Sequence, residues 1–87
     1  MHERALMSDV MARIETLARS EGATRVTRVS VRLGALSHFT PGHFREHFEQ
    51  AARGTVAEGA AVEAEVDGDI RDRRARDVLL ESVEVEV

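Results

Sequence analysis

The stretch TRVTRVSVRLG, residues 24–34, decides the fold. Val29, Val31 and Leu33 alternate with Arg28, Ser30 and Arg32, the period of two that gives a strand one apolar and one wet face. Gly34 ends the run. A strand that is apolar on one side only must bury that side against another layer, so the segments on either flank have to supply it.

On the amino-terminal side, Leu6, Val10, Ile14 and Leu17 recur at spacings of three and four, with Met7, Met11 and Ala18 alongside. That spacing predicts an amphipathic helix from Glu3 to about Glu21, stopped by Gly22. On the other side lies SHFTPGHFREHFEQAARGT, residues 37–55. Thr40 is placed to cap a second helix, Pro41 fits its first position, and Gly54 stops it. Its apolar stripe is Phe44, Phe48 and Ala51 or Ala52. EGAAVEAEV (58–66) then reads as a strand with Val62, Ala64 and Val66 on one face. DVLLESVEVEV (77–87) reads as another, with Val83, Val85 and Val87 alternating with Glu84 and Glu86. Between these two strands DGDIRDRRARD (67–77) reads as a solvated, highly charged hairpin loop.

The order is therefore α-β-α-β-β. The expected fold is α+β, a two-layer sandwich with two helices packed on one face of a small three-stranded mixed sheet. The opposite sheet face would carry Arg and Glu, pairing across strands for a few tenths of a kcal/mol each. Residues 1–87 read as a single domain, with no repeat and no low-complexity tract.

Composition narrows the function classes. Twelve basic against 16 acidic residues give a net charge of −4, which does not suit the wrapping of nucleic acid. The absence of cysteine removes disulfides and thiolate metal sites. Glu3, Arg4, Asp9 and Arg13 interrupt the first apolar stretch, so it is neither a signal peptide nor a membrane span. The default compartment is the cytoplasm. No phosphate loop, nucleophile elbow or paired-carboxylate motif occurs, so no catalytic role is expected.

The opening MHE, then VTRVSVRLGALSHFTPGHFREHFEQAARGTVAEGAAVEAEV (26–66), and finally LLESVEVEV (79–87) together resemble the HypA-type nickel metallochaperones. The likeness spans roughly residues 1–66 and 79–87. It implies help in inserting nickel into [NiFe]-hydrogenases, or into urease, with a HypB-type GTPase and the hydrogenase large subunit as partners. It also implies that His2 is a nickel ligand and that Glu3 supports the site or partner docking. In one respect the chain departs from the family. The family carries a zinc domain with two CxxC pairs between its last two strands. Here a short connection, about 67–77, stands in that place, so no zinc is expected.

The chemistry of the terminus supports the same site without the resemblance. A free amine on Met1, the main-chain nitrogen of His2 and the His2 imidazole can close adjacent chelate rings on one ion. Ni(II) favours such nitrogen-rich, square-planar or tetragonal coordination. Glu3 can add an amide nitrogen or a carboxylate. The bulky second residue favours retention of Met1. Against this stands the ordinary meaning of a terminal histidine, a solvated side chain at a frayed end.

His43 and His47, four apart on one face of the second helix, with His38 just before it, are weaker metal candidates. Histidines flanking an apolar stripe more commonly sit at the core margin or in solvent. Phe39, Phe44 and Phe48, with Met7 and Met11, read as core rather than as ligands. Two alternatives to the nickel carrier come from another class. One is a metal-free adaptor that docks on hydrogenase maturation components, and the other is a homodimer built on an open strand edge.

Overall fold

The computed structural model describes residues 2–87, with side chains from Arg4 onward. Its elements run α1 (His2–Ser20), β1 (Arg25–Leu33), α2 (Pro41–Ala52), β2 (Ala61–Val66) and β3 (Val78–Glu86). The sheet order is β2-β1-β3, with β2 parallel and β3 antiparallel to the central β1. Both helices pack on one face. The expected α+β sandwich and its mixed sheet are what the chain forms.

The helix ends follow from local chemistry. At the end of α1, Gly22 adopts φ 64° while the amides of Gly22 and Ala23 bond the carbonyls of Arg19 and Ala18 at 3.1 and 2.9 Å. This paired closure needs a left-handed residue, which glycine adopts without the Cβ penalty. The Thr40 hydroxyl accepts a bond from the His43 amide at 3.1 Å and caps α2, with Pro41 at its first position.

The core joins Met7, Val10, Met11, Ile14 and Ala18 of α1 to Phe44, Phe48 and Ala52 of α2, over Val26, Val29, Val31 and Leu33 of β1. Met7, Met11 and the three phenylalanines are core, as their spacing suggested. Leu17 sits at the margin of the α1 stripe and is 39% exposed, so the stripe is centred on Val10, Ile14 and Ala18 instead.

Two irregularities hold the strands in phase. The pairing steps from Val26↔Val85 to Arg28↔Glu84, which leaves Thr27 as an extra residue in β1. It steps again from Ser30↔Ser82 to Val31↔Leu80, which leaves Glu81 extra in β3. Each bulge lets apolar residues three apart, Val26 and Val29 or Leu80 and Val83, face the same side. Val66 and Val87, expected on the inner face, are 48% and 88% exposed: Val66 is the last residue of β2 and Val87 follows the end of β3.

The connection at 67–77 is not a hairpin. Because β2 and β3 flank β1 on opposite sides, the chain must cross the carboxyl end of β1 to reach the other edge. It docks as it crosses. Gly34 and Leu36 donate amide bonds to the carbonyls of Asp77 and Ala75 at 2.9 and 2.6 Å, and Ala75 is buried. A side chain at residue 34 would place its Cβ 2.2 Å from the Ala75 oxygen, so only glycine permits this approach. The aspartates of the connection fold it on itself. Asp67, Asp69 and Asp72 accept amide bonds from Asp69, Arg71 and Arg74 at 3.1, 2.9 and 2.8 Å.

Candidate metal centre

α1 begins at His2, the second residue of the chain. The first amides of a helix have no intrahelical acceptor, so the main-chain nitrogens at this end are not committed to the ladder. Met1 and the side chains of His2 and Glu3, the expected nickel ligands, lie outside the described residues.

Beyond the first turn, α1 and α2 run side by side. Arg4, Met7, Ser8 and Met11 of α1 and His47, Gln50 and Ala51 of α2 line an open groove of about 710 Å³. The start of α1 and His47 therefore belong to one concavity. The sequence held a signal for it, since each helix presents residues at i, i+3 and i+4 to the other. Arg4, Ser8 and Gln50 are polar residues at the edges of these stripes, and apolar periodicity alone does not mark them as groove-lining.

The α2 histidines form a compact aromatic cluster. The rings of His43 and His47 have centroids 4.5 Å apart and planes at 79°. Phe39 lies 5.6 Å from His43 and 6.3 Å from His47, and meets Phe44 edge-on at 5.5 Å, so the pair rests on a wall continuous with the core. Both histidines are half-buried. His38 is exposed on the preceding turn, with φ 70°, and takes no part in the described ring contacts. Among the described residues, no group of three or more His, Cys, Asp or Glu converges as metal donors. The connection at 67–77 does not fit a thiolate zinc site: the 87 residues contain no cysteine, and its aspartates bond the main chain.

The outer sheet face carries the expected Arg–Glu pairs. Arg28 reaches Glu63 on β2 and, at 3.7 Å, Glu84 on β3. Arg25 pairs with Glu86 at 3.3 Å and Arg32 with the bulged Glu81 at 2.9 Å. The hydrogen bond from Arg32 to Glu81, and then the charge of Glu81, raises the pKa of that guanidinium above its ordinary value. This face offers paired charges, not a donor set for a metal.

The fold thus defines a small two-layer α/β domain with a half-buried histidine pair on one face of α2. Among the described residues no helix is long and apolar enough to cross a membrane. The family model for hydrogenase/urease nickel-incorporation metallochaperones, HypA, matches residues 1–71. The chain belongs to the HypA family of nickel-incorporation metallochaperones. It is 39% identical over 66 residues to the hydrogenase maturation factor HypA of Methylocella silvestris, covering 76% of this chain and 58% of that protein. With HypA of Chlorobium limicola it shares 38% over 65 residues, covering 75% and 56%. The chain thus spans little more than half the length of these relatives. The solution structure of the nickel metallochaperone HypA from Helicobacter pylori superposes with a TM-score of 0.78, at 19% identity, over 99% of this chain and 98% of that one. That likeness shows the shared fold.

Proposed function

We propose that this chain carries one Ni(II) ion at its amino terminus and delivers it during hydrogenase maturation, with urease as the other candidate client. The Met1 amine, the His2 amide nitrogen and the His2 imidazole supply three nitrogens in adjacent chelate rings, and Glu3 supports them. The recipients are a HypB-type GTPase and the hydrogenase large subunit. The 87 residues act as one nickel-binding domain, with the 67–77 connection standing where the family's zinc domain would be. The observation that carries this reading is a family match that runs through residues 1–71 and so includes the Met-His-Glu opening.

The placement of α1 supports the chemistry. Because the helix starts at His2, an ion can take the His2 nitrogen without breaking a helical hydrogen bond. One effect opposes it. The positive end of the helix dipole disfavours a cation by about 0.3–1 kcal/mol. Metal chelation in small peptide sites such as zinc fingers is worth on the order of 10 kcal/mol, so the dipole trims affinity without deciding it. A weakened site suits a carrier, which must release its ion.

Equilibrium nickel binding of the His2→Ala chain is the test. The variant should lose the tightly held ion while its thermal unfolding stays unchanged. Retention of that ion at the same affinity would refute the terminal site. A variant that still bound the maturation partners, from a parent chain that carried no nickel, would point to the metal-free adaptor instead.

A further inference from the structure

We propose that His43 and His47 form a second divalent-cation site, at the edge of the groove between the helices, with Ni(II) or Cu(II) as its preferred ions. The spacing is the main argument. An ion about 2.0–2.1 Å from an imidazole nitrogen lies roughly 3.2 Å from the ring centre, so two rings at about 90° about the ion have centroids roughly 4.5 Å apart. The same geometry at a tetrahedral angle gives roughly 5.2 Å. The pair stands at 4.5 Å. It is therefore spaced for adjacent corners of a square or octahedral centre, which Ni(II) and Cu(II) favour.

Three further features fit. The i, i+4 separation on α2 puts both rings on one helix face, so the backbone already supplies the chelating arrangement. Phe39 packs against both rings, which limits the side-chain freedom lost on binding. Turning each ring about χ2, a soft torsion, aims a nitrogen of each at one ion, and water completes the coordination. Arg4 lines the same groove as His47, and its guanidinium opposes a second positive charge there. Two imidazoles facing such a charge make a weaker site than the terminal chelate, and one that does not depend on it.

The experiment uses the full chain acetylated at Met1, which removes the terminal amine and leaves the helix pair to be read by itself. Calorimetric titration with Ni(II) should show one bound ion. His43→Gln and His47→Gln should each weaken it roughly tenfold or more, because each leaves a single imidazole in place of a chelate. Arg4→Gln should tighten it. In a parallel Zn(II) titration followed by NMR, the ring signals of His43 and His47 should move and that of His38 should not. Equal nickel uptake by the acetylated chain and its His43→Gln/His47→Gln double variant would overturn the proposal. So would an unblocked double variant that binds all the nickel the unmodified chain binds, an outcome that leaves the terminal site intact. Melting temperatures of the variants confirm that each remains folded.

Discussion

The two faces of β1 belong to one strand, yet their chemistry has little in common. Inward, Val26, Val29, Val31 and Leu33 are all but inaccessible and meet Phe44, Phe48 and Ile14. Outward, Arg25 is exposed, Arg28 and Arg32 are half-buried, and all three pair with glutamates on the neighbouring strands. The inner face supplies the free energy of folding, since each fully buried aliphatic or aromatic side chain contributes about 1.5–3 kcal/mol. The outer face supplies little energy but fixes which residue stands opposite which, because a one-residue slip would set Arg against valine. Their combined effect is to hold α1 and α2 side by side, so that Arg4 of α1 and His47 of α2 line one groove.

That contrast can be broken by substitution. Phe44→Ala should cost about 3–5 kcal/mol, the range for emptying an aromatic site in a core that cannot collapse around it. For a domain this small, chemical denaturation should show it largely unfolded. Gly34→Ala tests the rim between the faces. Its Cβ would meet the Ala75 carbonyl, a main-chain atom that cannot swing aside, and the expected loss is about 1–3 kcal/mol. Amide exchange should localise that loss to the bonds from Gly34 and Leu36 to the connection. Arg28→Gln, which removes the ion-pair partner shared by Glu63 and Glu84 on the outer face, should cost no more than about 1 kcal/mol, and less in high salt. An Arg28→Gln loss as large as that of Phe44→Ala would mean that the outer face, not the core, holds the sheet together.

Much of this fold was legible in the sequence. Residues 24–34 alternate plainly, the helical spacing of Val10, Ile14 and Phe44, Phe48 is unambiguous, and Thr40-Pro41 marks a helix start by chemistry alone. The misses share a cause: they depend on residues distant in the chain. Strand order cannot be read from β2 and β3 themselves, since either could pair with the other, and so the 67–77 crossover passed for a hairpin. The bulges at Thr27 and Glu81 were hidden because a spacing of three inside a strand looks like a lapse in the pattern until the partner strand is known. Gly34 reads as a strand terminator, while its closest constraint is Ala75, far along the chain.

The metal chemistry was legible to a different degree. His2 stood out because the Met-His-Glu opening and the family pattern agree with the coordination preferences of nickel. The pair His43 and His47 was visible as a spacing, but its value lies in a ring separation and in Phe39, which only the packed helix provides. That one groove holds both Arg4 and His47 follows from how the two helices lie against each other.

The terminal chelate is tested most directly by comparing the untagged chain with the same chain acetylated at Met1, each titrated with Ni(II) and followed by absorption. The free amine should give a tightly bound ion with the d–d band of a square-planar nitrogen site, and acetylation should abolish that band and leave only weaker binding. An acetylated chain that keeps the same band and the same affinity would contradict it.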